Sequence, residues 1–245
     1  QHPGLVRRIQ AEGHEIACHG MSHRPLWELT PATLDQELAA FRELSVQVLG
    51  SDAEIRGFRA PTFSLDRRTR WAVPILARWG FVYDASVFPL QTGLCGQPGA
   101  PVSIYRLGAR DSVEEDPGAS ILEFPPATWE VLGQRLPVGG GVYLRLLPVR
   151  FLRRVLKRIN RARPFLIYVH PWETDRATPR LDLSLWGRLV TYHGAGSALW
   201  KLEVLLETFR FATVWESLET WCAVPGAAIG PPASLRPVSR SPIRR

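Results

Sequence analysis

Four short apolar runs in this chain each follow a helix-like stretch and each lead directly into a reactive side chain. The runs, with the residue that follows each, are 15–18 with His19, 55–58 with Arg59, 81–83 with Asp84 and 165–169 with His170. Buried strands that alternate with helices form a parallel sheet or a barrel, and groups at the carboxyl ends of such strands meet at one edge. The pattern therefore predicts an α/β fold with reactive groups gathered at that edge, which favours an enzyme.

Helix signals fill the segments between these runs. Thr30 is a good helix cap, Pro31 suits the first helical position, and the apolar 3.6-residue period that follows continues until Gly50. The same reasoning predicts helices at 3–12, 71–79, 150–161 and 199–209 and a last strand at 211–214. Residues 88–141 are rich in proline and glycine, and we expect a long insertion beside the site with one strand at 121–124.

Length and charge indicate one domain with a basic end. A chain of 245 residues with 45% hydrophobic residues can form one large core, so one catalytic domain is predicted over residues 1–221. Much of the formal net charge of +7 arises in residues 150–163 and in the last ten residues. Residues 222–245 lack periodicity and are predicted to be a disordered basic tail. Aromatic residues do not alternate with the basic ones, so nucleic-acid binding is not expected.

Neither a membrane helix nor a disulfide framework is visible in the sequence. No apolar run approaches the roughly 20 residues that a membrane-spanning helix needs. The three cysteines, Cys18, Cys95 and Cys222, form no C-x-x-C pair and no even framework. We therefore expect reduced thiols, a cytoplasmic location and no membrane span.

The sharpest local motif is a histidine pair, His19 and His23, at the end of a predicted strand. If the backbone turns helical directly after the strand, the two imidazoles can bind one divalent cation, and imidazole is a favoured ligand of zinc. The alternative is a pair of unrelated surface or capping histidines. A metalloprotease would need glutamate directly after the first histidine, and Gly20 stands there.

Three further residues are candidates for a role at the same edge. Arg59, which precedes an Ala-Pro pair, either holds a carboxylate in bidentate geometry or is a surface arginine before a turn. Asp84 either orients a base or caps the next turn. His170 follows the most apolar strand, and Pro171 interrupts the regular chain after it. We therefore expect the imidazole of His170 to face the edge as a general acid or base.

In this order and spacing, the motifs resemble those of the polysaccharide deacetylases with a NodB homology domain, carbohydrate esterase family 4. The resemblance extends from about His2 to about Trp215. The matching motifs are the metal-binding histidine pair at 19–23, the Arg-x-Pro motif at 59–61, the Asp motif at 83–84 and the late His motif at 169–171. Residues 135–143 and 170–173 are similar to a narrower branch that is found with exosortase and exopolysaccharide gene clusters.

The resemblance implies a distorted (β/α) barrel and a metal-dependent hydrolase. Its reaction would be removal of N-acetyl groups from amino sugars of a polysaccharide, here an exopolysaccharide. The resemblance also implies a divalent metal ion, with zinc the expected one, on His19 and His23. The expected partner is a polysaccharide or oligosaccharide that contains N-acetylhexosamine units.

The resemblance further assigns roles to single residues. It implies that Arg59 positions the catalytic base, and that His170, tuned by Asp84, protonates the departing sugar amine. It places Trp172 and Pro61 among the residues that contact the sugar, Trp172 as an apolar platform. The alternative for Trp172 is a buried core position.

One feature of the family has no counterpart in this sequence. The family opens with a strand that ends in paired aspartates, one for the metal and one as catalytic base, and no such segment precedes Gln1. We therefore expect a chain that begins after the family's first strand and that shows no measurable deacetylase activity by itself. The alternative function is a catalytically inactive glycan-binding or scaffold protein.

Overall fold

The short apolar runs pair as parallel strands in the computed structural model, which describes residues 2–93, 95–112, 114–175 and 177–223. The strands are β1 Gly57–Phe58, β2 Tyr83–Asp84, β3 Tyr105–Arg106, β4 Leu122–Glu123, β5 Thr128–Val131 and β6 Gln134–Pro137. The α-helices are α1 Pro3–Ala11, α2 Pro31–Leu49, α3 Ala72–Arg78, α4 Val142–Leu146, α5 Val149–Asn160, α6 Pro171–Thr174, α7 Leu185–Tyr192, α8 Ala195–Thr208 and α9 Val214–Cys222. Short 3-10 helices lie at Leu26–Glu28 and Pro61–Phe63.

The central sheet has the strand order β1-β2-β4-β3. In it β1, β2 and β4 are parallel, and β3 is antiparallel to β4. Cys18, in the first predicted run, extends the sheet by a parallel bridge to Phe58. The last run, 165–169, makes parallel bridges to the segments that flank the antiparallel β5–β6 hairpin. The predicted α/β class with a parallel sheet is confirmed. The pairing of the described strands accounts for this sheet and does not require a closed barrel.

Helix α2 shows how local sequence determines one of these elements. The Thr30 hydroxyl accepts a hydrogen bond from the backbone N–H of Thr33 at 3.2 Å, and Pro31 occupies the first turn. Gly50 ends the helix with a φ of 91°, a conformation that side chains rarely adopt. The start and end of this helix therefore lie where the sequence predicts them.

Two hydrophobic clusters hold the elements together. The larger cluster contains buried residues from the four strands of the central sheet and from α2, α3 and α9. The smaller cluster contains buried residues from α4, α5 and α8 and from the segments beside β5 and β6. Burial of this apolar surface is the main stabilising contribution to the fold, and it fixes the strand ends that carry the predicted site residues.

Glu15 connects the first run to the central sheet and to the last helix. Its Oε1 accepts a hydrogen bond from the Tyr83 hydroxyl, with the two oxygens 2.8 Å apart. Its Oε2 accepts a hydrogen bond from the backbone nitrogen of Trp215 at 3.0 Å. The Tyr83 ring reaches Glu15 by passing over Gly57, where a Cβ would lie 2.0 Å from a ring atom. Glycine is therefore required at position 57 because the Tyr83 ring occupies the space of a side chain.

The end of the described chain differs from the sequence-based prediction. Residues 211–214 do not form the predicted strand, because Thr213 and Glu216 form a capping box that begins α9 at Val214. Cys222, where the tail was predicted to begin, is buried as the last residue of α9. The rest of the predicted tail, 224–245, lies outside the described residues. Among the described helices, none has the length and apolarity needed to cross a bilayer.

Candidate active site

The two histidines of the sharpest motif lie side by side. The ring centroids of His19 and His23 are 5.0 Å apart in an edge-to-face arrangement. The backbone between the two histidines forms a bend and not a helical turn. Gly20 and His23 both have positive φ, 75° and 57°, and these two residues reverse the chain. The helical turn that was the condition for a shared ligand is not formed, yet the bend brings the two imidazoles together.

Glu37 of α2 holds this bend in place. Its Oε2 accepts the backbone N–H of Met21 at 3.2 Å, and the Ser22 hydroxyl donates to its Oε1. A Cβ at Gly20 would lie 3.3 Å from Oε2 of Glu37, so glycine is favoured there by space as well as by φ. Nothing in the sequence indicates this contact, because Glu37 resembles any polar residue on an amphipathic helix.

The hydrogen bond of His19 determines which of its nitrogens is available. Nδ1 of His19 lies 2.6 Å from the backbone oxygen of Arg59, and because a carbonyl can only accept, Nδ1 carries the proton and donates it. The lone pair of Nε2 remains available to a metal ion. Burial lowers the pKa of His19, and the positive charges of His23, Arg59 and His170 act in the same direction, although the bond to Arg59 opposes them. These effects favour the neutral imidazole, which is the form that binds metals.

Arg59 lies at the carboxyl end of β1 with its side chain turned into the protein. Its Nε donates to the backbone oxygen of Ala85 at 3.0 Å, and its guanidinium carbon lies 5.7 Å from the centre of the Phe63 ring. Phe63 contacts Tyr168, with ring centroids 4.8 Å apart, and Tyr168 contacts His170 at 5.7 Å. These contacts connect the end of β1 to the end of the last run, so Arg59 and His170 lie in the same region as His19.

Asp84 is fully buried at the end of β2, opposite Glu123 of β4. Its carboxylate accepts the backbone N–H and the hydroxyl of Ser86 at 2.8 and 2.7 Å. Burial raises the pKa of Asp84, although hydrogen bonds from Glu123 and Ser86 and the charge of Arg59 oppose the rise. Burial and the negative charge of Asp84 raise the pKa of Glu123 well above its ordinary range. Because both pKa values are raised, we infer that the buried pair shares one proton and carries one negative charge beside Arg59.

This pair is expected to make stability depend on pH. Folding raises the pKa of Glu123 above its ordinary value of 4.5. The resulting stabilisation is therefore fully present below about pH 4.5, and it is lost as the pH rises through the pKa of the folded state. One proton accounts for a slope of at most about 1.4 kcal/mol per pH unit. Glu123→Gln keeps the shape and removes the titration, so we expect it to flatten most of this slope.

Urea denaturation between about pH 5 and 8 would measure the slope. Glu207→Gln removes an exposed glutamate of α8 and serves as the control, which is expected to leave the slope as it is. A slope that is the same in Glu123→Gln and in the unaltered protein would contradict the shared proton.

His170 follows the last run and directly precedes α6. Its side chain is 51% exposed, and its Nδ1 lies 3.3 Å from Oε2 of Glu173, a side chain that is only 1% exposed. The same oxygen accepts the backbone N–H of His170 at 2.9 Å. The carboxylate in contact with His170 is thus Glu173, and the tuning of His170 by Asp84 stays a prediction. The spacing His-Pro-x-Glu, typical of a helix start with a capping box, could have indicated this contact.

Trp172 and Pro61, both predicted to contact the sugar, lie in different settings. Trp172 is half-buried, and its ring is nearly parallel to that of His170, with centroids 5.8 Å apart and planes 21° apart. The Arg145 guanidinium carbon lies 5.1 Å from the centre of the Trp172 ring. Pro61 is buried at the start of a 3-10 helix, beside Gly20 of the histidine bend. Contact of Trp172 or Pro61 with a sugar stays a prediction.

The donor chemistry of the histidine pair suits a metal ion. His19 and His23 are close together, and the first presents a free Nε2. In the parts of the chain that the structure describes, no group of three or more His, Cys, Asp or Glu side chains is arranged to hold a metal. The described residues therefore offer two imidazole ligands.

Comparisons with known proteins agree with this fold. A family model for polysaccharide deacetylases matches residues 1–81, and a model described as a domain of unknown function, DUF3473, matches residues 85–219. A solved structure assigned as a polysaccharide deacetylase from Mycobacterium smegmatis is 20% identical, with a TM-score of 0.56 over 97% of this chain and 72% of that chain. The structure of Puue allantoinase is 15% identical, with a TM-score of 0.53 over 91% of this chain and 63% of that chain.

The two matched regions meet at β2 and share the central sheet. Strand β2 pairs with β1 in the deacetylase region and with β4 in the DUF3473 region. At these identities the solved structures show likeness of fold, whereas the family models cover nearly all residues from 1 to 219. The chain belongs to the polysaccharide deacetylase family and carries the deacetylase-associated domain DUF3473 as its second part.

Proposed function

We propose that this protein hydrolyses the N-acetyl groups of amino sugars in a polysaccharide. The observation that supports the proposal best is that the rings of His19 and His23 lie side by side, 5.0 Å apart, and that contacts through Arg59, Phe63 and Tyr168 connect this pair to His170. Hydrolysis of an acetamide requires polarisation of its carbonyl, activation of a water molecule and a proton for the departing amine. An arrangement of ligand and acid imidazoles at one edge suits these requirements.

His19 and His23 would hold the divalent metal ion, and zinc is favoured because imidazole is one of its ordinary ligands. When bound, such an ion acts as a Lewis acid toward the acetamide carbonyl and makes water acidic enough to attack near neutral pH. The chain supplies the placement of the two rings, through the bend at Gly20 and its contacts with Glu37. It also supplies the tautomer of His19, through the carbonyl of Arg59.

His170 would donate the proton to the leaving nitrogen. Its side chain is half exposed, and Tyr168 and Phe63 connect it to the end of β1, so it would reach a substrate that lies over the histidine pair. Trp172, stacked on the same imidazole, would contact the sugar ring. Arg59 and the buried Asp84 would act as positioning residues, since the Arg59 carbonyl orients His19 and Asp84 holds the loop after β2.

The substrate would be a polymer or oligomer with N-acetylhexosamine units. We favour an exopolysaccharide because residues 135–143 and 170–173 resemble the exopolysaccharide-associated branch of the family. The exposed placement of His170, His19 and His23 is compatible with a long chain lying across the edge.

A second candidate function is glycan binding without hydrolysis. The observation that favours it is the ligand count, since the described residues bring two imidazoles together without a third metal ligand. In addition, Asp84 and Glu123 are buried, so neither can take a proton from a water molecule at the edge.

Acetate release from an N-acetylglucosamine oligosaccharide would distinguish the two candidates. The assay would use this chain and a form that also carries an amino-terminal strand ending in two aspartates. We expect the longer form to release acetate, to lose this activity on chelation and to regain it with zinc. Glycan binding by both forms without any acetate release would favour the second candidate.

Two histidine variants make this experiment specific. His19→Ala is expected to abolish acetate release, because it removes one of the two imidazole ligands. His14→Ala removes an exposed histidine outside the pair and is expected to leave acetate release unchanged. Release that continues in His19→Ala would contradict the proposed site.

A further inference from the structure

The carboxylate of Glu173 is held by a buried arginine. Arg145 of α4 donates from Nε to Oε1 of Glu173 at 2.9 Å, and the two side chains are 2% and 1% exposed. The other carboxylate oxygen, Oε2, faces Nδ1 and the backbone N–H of His170. Each oxygen of Glu173 therefore has a fixed donor, and rotation of the carboxylate would break the contacts on both sides.

Arg145 is fixed in turn by three backbone carbonyls at the carboxyl end of α7. Its terminal nitrogens donate to the backbone oxygens of Val190, Thr191 and His193 at 2.8, 2.9 and 2.9 Å. Lys201 of α8 donates to the backbone oxygen of Arg145 at 2.6 Å, which fixes the main chain of α4 as well. An arginine with this many partners has a single orientation, because its donors lie in one rigid plane.

These contacts keep Glu173 ionised although it is buried. Burial by itself would raise the pKa of Glu173, but the hydrogen bonds from His170 and Arg145 outweigh it and lower the pKa below the ordinary value. An ionised carboxylate can only accept hydrogen bonds. The partner that faces it, Nδ1 of His170, must then carry a proton.

We propose that Glu173, anchored by Arg145, is the positioning residue of His170, which it holds with Nδ1 protonated, so that Nε2, directed toward the substrate, is the nitrogen that takes up a second proton from solvent and gives it to the leaving amine. The acid role of His170 itself rests on the proposed function. The network lies within residues 85–219, so the DUF3473 region would complete the active site that the histidine pair begins. Asp84 is differently placed, since its carboxylate accepts from Ser86 and is buried against Glu123.

The tautomer of His170 can be measured without substrate. Long-range proton–nitrogen NMR spectra of the 15N-labelled protein distinguish imidazoles protonated at Nδ1 from those protonated at Nε2. The spectra would be recorded well above the ordinary imidazole pKa of about 6.5, and His170→Gln would identify the signal. We expect His170 to be protonated at Nδ1. Protonation at Nε2 in the unaltered protein would overturn the proposal, whatever the variants show.

Glu173→Gln is expected to reverse this tautomer. Arg145 is a donor only, so we expect it to retain the amide oxygen of the new side chain, which turns the amide nitrogen toward His170 and gives up the hydrogen bond from the backbone N–H of His170. The imidazole must then accept at Nδ1 and carry its proton at Nε2. In a form that releases acetate, the same variant should lower kcat at least about tenfold with little change in KM, a part of the 10²–10⁴-fold that a positioned acid contributes.

Glu216→Gln is the matched control, because Glu216 occupies the same capping-box position at the start of α9, with Thr213 at the cap where α6 has His170. We expect it to change neither the tautomer nor kcat. An unchanged His170 tautomer in a folded Glu173→Gln protein would overturn the proposal. Because the spectra need no substrate, an Nδ1-protonated His170 in a protein that releases no acetate would support the positioning by Glu173 and contradict only the proposed function.

Discussion

Replacing His170 by alanine is expected to lower kcat for acetate release by about 100-fold or more, the usual contribution of a positioned general acid. The content of divalent metal should remain nearly unchanged, because His170 is held by Glu173 and would act on the leaving amine. Kinetics on a form of the protein that releases acetate, together with metal analysis of the purified variant, would test both parts.

The outcome separates two roles for this imidazole. Loss of the metal together with activity would make His170 a ligand and contradict its role as acid. His14→Ala provides the comparison, since it removes an exposed histidine outside the site and should retain both metal and activity. A His170→Ala protein with full activity would exclude both roles.

Replacing Arg145 by alanine is expected to reduce the free energy of unfolding by about 3–5 kcal/mol, the usual cost of removing one partner of a buried ion pair. The variant leaves Glu173 buried without its cation and removes the donors of three backbone carbonyls. Because domains of this kind are stable by only about 5–15 kcal/mol, such a loss would be a large fraction of the total.

Urea denaturation would measure this change. Arg188→Ala is a suitable comparison, because Arg188 forms an exposed ion pair with Asp182 on the surface and exposed pairs contribute little. We expect its unfolding midpoint to match that of the unaltered protein. Equal midpoints for Arg145→Ala and Arg188→Ala would contradict the structural importance of the buried pair.

Local signals predicted much of the fold. Caps such as Thr30, stops such as Gly50 and the apolar period between them depend on neighbouring residues, so the sequence alone places α2. The position of His19 and His170 directly after apolar runs is likewise a local feature of the sequence, so both positions can be predicted without the structure. The strand predicted at 211–214 is wrong for a related reason, because Thr213 and Glu216 form a capping box, a local signal that begins a helix at Val214.

Contacts between distant segments could not be predicted in this way. Glu37 supports the histidine bend from a neighbouring helix, and Arg145 meets Glu173 only because α4 and α6 both pack against α8. The pairing of Asp84 with Glu123 depends on β4 lying next to β2 in the sheet. Each of these contacts follows from tertiary packing, which the period and caps of a single segment do not specify.

The position of β2 determines whether the protein can be divided into two separately folding parts. The deacetylase model ends at residue 81 and the DUF3473 model begins at residue 85, so the border between them falls within the strand that joins β1 to β4. Either region expressed alone would have an unpaired strand edge, which promotes association with other chains. Since β2 pairs with strands of both regions, we expect the two regions to fold as one unit, so that neither can be exchanged between proteins without the other.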